Sequence, residues 1–408
     1  MKNFMVLGAS ALQIPLIQQV RKKGYNVVVV SPHHNEPGVS YADYFVEADV
    51  RDKETILEFA KKYNIVGITT DQTDIPVRTA AYVAEKMGLP GIGYDTACLF
   101  TDKYLMREKC KELGLPTVKY KKVKNIQEAV EFFKYVNSKV ILKPVDNQGS
   151  KGVSIVSNIE ELYEKYHEAM SFSMEKAVLI EQFIKGKEYV VEGVVLNYEY
   201  KNIICGEYHH FEIPGIFASA FTVFPVIGKE SLVKRIQELN EKIITGFGLK
   251  NGRTHSEFIV TEEDEIYLIE TAARGGGVFI SSDIVPLITG FNSEDFLIGI
   301  ATNNIKDISQ IKKNEIFCCC LAFYLPVGEI VELENVKKVV SMPFTHRNNL
   351  ENLYLGMKTK SYKDKTGRYF IVISGTNPEI LMSNVEAVKN TLKIKVKTNS
   401  GIKGPIWN

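Results

Sequence analysis

The chain has 408 residues, 45% of them hydrophobic and 24% charged, with a formal net charge of +1. That length suits two to four domains with real cores, and the near-neutral balance gives no reason to expect nucleic acid or an anionic membrane as partner. No apolar run approaches the ~18 residues of a spanning helix, the N-terminus lacks signal-peptide character, and the six cysteines include no C-x-x-C pair, so a cytoplasmic protein with reduced thiols is expected.

The first hundred residues alternate strand and helix. F-M-V-L-G at 4–8 predicts a buried strand, Pro15 to Lys23 a helix ended by Gly24, and N-V-V-V-V at 26–30 a second strand. Two further units carry I-V-G-I-T-T at 65–70 and G-L-P-G-I-G at 88–93. This alternation predicts a parallel sheet with helices on both faces. The first turn, Gly8-Ala9-Ser10, lacks the full dinucleotide fingerprint, which weighs against an NAD-linked oxidoreductase. His33 and His34 fall in a polar loop and read as solvated.

Thr101 reads as the N-cap of a helix running to Leu113, with Gly114 and Pro116 beyond it. Lys103, in the first turn, opposes the helix dipole. It is either a solvated lysine or, together with the helix end, an attractor for an anion such as phosphate.

A helix over about 126–135 leads to V-I-L-K-P-V-D-N-Q-G-S-K-G-V-S-I-V at 140–156. Two β-rich runs flank a polar loop containing Gly149, Ser150 and Gly152, and Lys143 ends the first run. Small residues let backbone approach a phosphate closely, and a lysine supplies the opposing charge. A glycine loop that opens a helix would suggest a P-loop. This one joins strand to strand, so it reads as a mobile hairpin over a triphosphate. Lys151 is either a second phosphate contact or solvated.

The run V-L-I-E-Q-F-I-K-G-K-E-Y-V-V-E-G at 178–193 predicts a strand, a Lys-Gly turn and a second strand. Its shape can offer backbone groups around Glu181, Gln182, Phe183 and Ile184 to an adenine edge, and the Glu188 carboxylate to ribose hydroxyls. The alternative is a plain hairpin with two solvated glutamates.

H-S-E-F-I-V and I-Y-L-I-E flank T-E-E-D-E. A turn centred between Glu263 and Asp264 sets Glu257 opposite Glu270 and Ile259 opposite Leu268. Cβ atoms so paired lie roughly 4.5–5.5 Å apart, and like charges there are destabilising unless a cation sits between them. Mg²⁺ takes one or two carboxylates plus substrate phosphates. A slip of one residue would break the argument. Arg274 opens R-G-G-G, whose glycines leave room for a ligand. It is either a bidentate partner for a carboxylate or phosphate substrate or a structural ion-pair residue. His209 and His210, neighbours in one strand, point to opposite faces and make a poor chelating pair. His255 shares a face with Glu257. Cys318, Cys319 and Cys320 read as small core residues alternating between faces.

In this order, T-D-K with Lys103, L-K-P with Lys143, D-N-Q-G-S-K-G-V, E-Q-F-I-K-G-K-E-Y, H-S-E-F and I-E-T-A-A-R-G-G-G resemble the ATP-grasp superfamily, over nearly the whole chain. The resemblance implies a mixed α/β and α+β architecture. A parallel-sheet pre-ATP-grasp domain would span 1–100, an ATP-grasp domain with a mobile glycine-loop subdomain (about 117–190) would span 101–311, and a small C-terminal α+β domain would span 312–408. It further implies ATP and Mg²⁺ or Mn²⁺ as cofactors. Lys103, Lys143 and the loop would contact phosphates, Glu181 to Ile184 would hold adenine, and Glu188 the ribose. Glu257 and Glu270 would bind the metal, and Arg274 would face the reacting acyl phosphate. Many relatives carry Asn two residues after the second metal glutamate, whereas this chain has Ala272.

The activity so implied is carboxylate–amine ligation on small metabolites through an acyl phosphate, releasing ADP and phosphate. The competing readings are ATP-dependent carboxylation or formyl transfer on a nucleotide intermediate, and an ATP-binding module without catalysis. A homodimer is the default assembly for a soluble enzyme.

Overall fold

The computed structural model describes residues 1–146, 151–305, 307–308, 311–312, 314–359 and 367–408. Strands β1 (Asn3–Leu7), β2 (Asn26–Ser31), β3 (Tyr44–Glu47) and β4 (Ile65–Thr69) form a parallel sheet in the order β3-β2-β1-β4. The valine-rich β2 is buried along nearly its whole length, as a sheet covered on both faces requires. One face packs Met5, Leu7, Val28 and Val30 against Ile56 and Val83. The other packs Phe4, Val6, Val27 and Val29 against Leu16, Ile17 and Val20 of helix Ile14–Lys22. Gly24, at φ +82°, takes the left-handed position just past that helix. Ile298 and Ala301, from helix Ser293–Ala301, complete the second face, so this layer is closed by a distant part of the chain.

Helix Lys103–Glu112 is capped by Asp102, not Thr101. Asp102 has the extended backbone of an N-cap (φ −114°, ψ 113°), and its Oδ1 accepts from the N–H groups of Tyr104 and Leu105 at 2.8 and 3.0 Å. The Thr101 hydroxyl donates backwards to the Ala97 carbonyl instead.

Strands β5 (Tyr120–Val123), β6 (Val140–Pro144), β7 (Ser154–Val156) and β8 (Val178–Gln182) make a small antiparallel sheet, ordered β5-β8-β6-β7. Helices Ile126–Val136 and Ile159–Phe172 cover it through Phe132, Leu162 and Tyr166. The glycine loop joins antiparallel β6 to β7, as read from the sequence, with Val140 opposite Val156. Gly149 and Ser150 lie outside the described residues.

Strands β9 (Lys187–Leu196), β10 (Glu199–His210), β11 (Ser219–Phe224), β12 (Gly252–Val260) and β13 (Ile266–Ala272) begin a larger sheet. The run 178–193 is therefore no hairpin: β8 pairs with β5 and β6, whereas β9 pairs with β10 and β12. The chain crosses from one sheet to the other within residues 183–186. Strands β14 (Phe317–Phe323), β15 (Gly328–Glu334), β16 (Thr345–Asn348), β17 (Lys358–Thr359), β18 (Tyr369–Gly375), β19 (Lys393–Thr398) and β20 (Gly401–Lys403) follow. Of these, β14, β16 and β18 extend the large sheet to eight strands, β13-β12-β9-β10-β11-β14-β18-β16, while β17-β15-β19-β20 form a sheet of their own. Cys319 packs on one face of β14 and Cys318 and Cys320 on the other, all three buried.

Helix Glu230–Gly246 covers one face of the large sheet through Ile236, Ile243 and Ile244, which pack on Tyr189, Val191 and Phe258. The opposite face presents Glu188, Glu192, His255 and Glu257, since Ile259, Glu257 and His255 pair with Glu188, Val190 and Glu192 in turn. Among the described residues no single helix is long and apolar enough to cross a membrane.

Gly206 in β10 lies under the buried Phe224 ring, and a Cβ there would overlap it. Gly206→Ala should therefore destabilise the protein by about 1–3 kcal/mol through overpacking, read as a lower midpoint in chemical denaturation. Combining it with Phe224→Leu should restore part of the loss.

Candidate active site

A cavity of about 950 Å³ opens where the three layers meet. Lys53 and Asp74 line it from the N-terminal layer, Lys151 and Met174 from the small-sheet region, His255 and Glu270 from the large sheet, and Lys103 from helix Lys103–Glu112. Of the residues read from the sequence, Thr101, Lys103, Lys151, His255, Glu270 and Ala272 face this space. Every described lining residue precedes Ala273, so the C-terminal segment does not wall it.

Glu257 and Glu270 are direct cross-strand partners, as the turn position predicts. Beyond them the register slips: Phe258 pairs with Leu268, and Ile259 with Tyr267 rather than the expected Leu268. Ile269 is the bulge residue, and its carbonyl accepts from Arg107 Nη2 at 2.7 Å. Lys103 Nζ lies 3.2 Å from Glu270 Oε2. His255 Nε2 lies 3.3 Å from Glu257 Oε1, and the Tyr208 hydroxyl donates to the same oxygen at 3.4 Å. Burial disfavours the Lys103 charge, but Glu270 and then Asp74 outweigh it and raise its pKa.

Two opposed carboxylates, each touching a cation or donor, make a hard-oxygen site that fits Mg²⁺. No group of three or more His, Cys, Asp or Glu capable of holding a metal occurs among the described residues. Further ligands would therefore be phosphate oxygens and water. Ala272, directly across from His255, supplies no side-chain oxygen.

Glu181 does not offer its carboxylate to a ligand. It is 1% exposed and takes Arg107 Nε at 2.6 Å and Lys143 Nζ at 2.7 Å. Burial raises its pKa, but Arg107 and Lys143 together lower it to about 2. The carboxylate holds Lys143 in place, and Arg107 ties helix Lys103–Glu112 to β8 and β13. Arg107 lies one helical turn after Lys103, and that i,i+4 spacing is the signal the sequence offered for it. The N–H groups of Gln182 and Phe183 donate to the Lys119 and Lys139 carbonyls at 2.9 and 3.0 Å, and Ile184 begins the crossing between sheets. Glu188 lies 2.9 Å from His210 Nε2. Gly152, at φ +74°, has no room for a Cβ beside Phe172 and Pro144.

Arg274 is buried, and Asp74, not Arg274, faces the cavity. Arg274 Nε and Nη2 donate to the two Asp74 oxygens, each at 2.8 Å, and Nη1 donates to the Gly275 carbonyl at 3.0 Å. Burial raises the Asp74 pKa, and Arg274 more than offsets this, holding it below the ordinary range. The first two glycines that follow, Gly275 and Gly276, do not leave ligand space. A Cβ on Gly275 would strike Ser281 and Asp71, and one on Gly276 would strike Glu192 and His255. Glu192, fully buried, accepts from Arg253 at 2.8 Å and from the Gly276 N–H at 3.2 Å, and it lies 2.5 Å from His255 Nδ1. Burial works against a charged His255, but Glu192 prevails and its pKa rises to about 9. A lone glutamate in the apolar run V-V-E-G-V-V was the sequence signal for this hub.

Residues 136–283 match the ATP-grasp domain, and residues 1–90 the ribonucleotide synthetase preATP-grasp domain. Alanine–anticapsin ligase of Bacillus subtilis (strain 168) is 28% identical over 247 residues, covering 55% of this chain and 51% of that protein. The chain thus spans about half the length of that relative. Formate-dependent phosphoribosylglycinamide formyltransferase of Prochlorococcus marinus subsp. pastoris is 22% identical over 97% of both chains. The crystal structure of L-amino acid ligase from Bacillus licheniformis shares the fold, with a TM-score of 0.81 and 19% identity over 98% of this chain and 99% of that one. The chain thus carries an ATP-grasp domain over residues 136–283, with a preATP-grasp domain preceding it over residues 1–90.

Proposed function

We propose that the protein is an ATP- and Mg²⁺-dependent carboxylate–amine ligase that joins small metabolites through an acyl phosphate. The observation that carries this reading is the Glu257–Glu270 pair, of which Glu270, with Lys103 on it, lines a cavity shared by all three layers. In this reading Lys103 and Lys143 face the ATP phosphates, with the backbone around Gly149, Ser150 and Gly152 over them. Main-chain groups from Glu181 through Ile184 other than the committed N–H groups of Gln182 and Phe183 hold the adenine edge, and Glu188, kept in place by His210, holds the ribose. Glu257 and Glu270 would hold Mg²⁺, which when bound neutralises charge on the transferred phosphoryl group. A carboxylate oxygen of the acid attacks the γ-phosphorus as the bond to ADP breaks. An amine then displaces phosphate from the acyl phosphate. Lys103 and Lys143 offset the charge that develops, and a closed site keeps water from the intermediate.

Similarity to the alanine–anticapsin and L-amino acid ligases supports the ligase reading. A second reading, formyl transfer to a nucleotide intermediate, draws support from the formyltransferase that aligns over 97% of both chains. A formate requirement for ADP formation would select it.

Glu270→Gln should abolish Mg²⁺-dependent ADP formation while unfolding remains cooperative, and near-wild-type turnover would remove Glu270 from the metal site. Lys143→Ala should raise the ATP KM by about tenfold or more, since a hydrogen bond to a charged group is worth about 1.5–3 kcal/mol. Unchanged nucleotide affinity in titration calorimetry would count against its phosphate role.

A further inference from the structure

Arg274 and Asp74 are 200 residues apart in sequence and meet through two parallel hydrogen bonds of 2.8 Å each. The arginine is the more deeply buried partner, with 9% of its side chain exposed against 24% for Asp74. A ligand in the cavity therefore meets the aspartate first. Lys103, 3.2 Å from Glu270, is attracted by Glu270 and by Asp74. Ile75, next to Asp74 and 38% exposed, adds an apolar wall to the same corner.

This arrangement selects among acids. The Nε/Nη2 edge of Arg274, its bidentate fork, is already taken by a carboxylate of the protein. A simple carboxylate entering this corner is repelled by Asp74 or must displace it from Arg274. An acid that carries an ammonium group beside its carboxylate meets the opposite situation. Its cation can lie on the cavity side of Asp74, leaving the ion pair with Arg274 intact, while its carboxylate turns toward Lys103. The apolar wall at Ile75 then lies beside its side chain.

We propose that Asp74 determines specificity by receiving the cationic group of the acid substrate, which makes that acid zwitterionic, of the α-amino acid class. This deepens the ligase reading and rests on it.

The test measures ADP formation with Mg-ATP and hydroxylamine as a common amine acceptor. The twenty standard α-amino acids are each compared with the carboxylic acid that lacks the α-amino group. Wild-type kcat/KM should favour the accepted amino acid over its des-amino counterpart by about tenfold or more, the scale of a lost charged hydrogen bond. Asp74→Asn should cut that preference by a similar factor through the KM for the acid, with the ATP KM little changed. Asp74→Glu should keep part of the preference. A wild-type enzyme that prefers the des-amino acids overturns the proposal and leaves the ligase reading standing. So does an Asp74→Asn variant that loses activity equally on both classes, which would mark Asp74 as a structural support for Arg274. Binding of Mg-ATP with no ADP formed from either class overturns the ligase reading and the proposal together.

Discussion

The site is organised around one buried carboxylate. Glu181 is nearly inaccessible to solvent, and two cations from different elements converge on it: Arg107 from helix Lys103–Glu112 and Lys143 from β6. Removing one partner from a buried charge cluster of this kind costs about 3–5 kcal/mol, because the remaining charge is stranded away from water. The cost of forming it is met by geometry, since Arg107 also donates to the Ile269 carbonyl. A single guanidinium thereby sets the helix that carries Lys103, the small sheet that carries Lys143 and the strand that carries Glu270. The distances among these three groups are consequences of that contact.

The bulge at Ile269 follows from the same constraint. A regular hairpin would keep one register from the turn to Glu270. Here the strand gains a residue just before the glutamate, and the carbonyl left without a ladder partner is satisfied by Arg107. On the other side of β12 a second buried carboxylate plays a matching part. Glu192 fixes Arg253, His255 and the N–H of Gly276, so the edge of the site opposite Glu181 is also built around a satisfied negative charge.

What could be read from the chain was what local pattern determines. The parallel layer follows from apolar runs alternating with helical segments, and the Glu257–Glu270 pairing follows from turn position. Asp102 displaced Thr101 as cap because two adjacent capping residues differ only in backbone angle, which a sequence does not display. The Ile259–Leu268 pairing failed because the bulge depends on Arg107, from a helix some 160 residues earlier. The true partner of Arg274 was out of reach for the same reason, as nothing near it in sequence points to Asp74. Buried charges were the hardest to place. Glu181 reads as a ligand-facing residue at a strand end until the two cations beneath it are seen.

The crossing from β8 to β9 has a mechanical consequence. Glu181 and Lys143 ride on the small sheet, whereas Glu257, Glu270 and Glu188 ride on the large one, and residues 183–186 are the covalent strap between them. The N–H groups of Gln182 and Phe183 are committed to the small-sheet side, so the first freedom to pivot comes at Ile184. A ligand gripped along this strap would act as a splint across the joint. Its occupancy would set the angle between the two sheets, and with it the spacing between the lysine on one and the carboxylates on the other, so a single binding event would stiffen the scaffold and adjust its gauge.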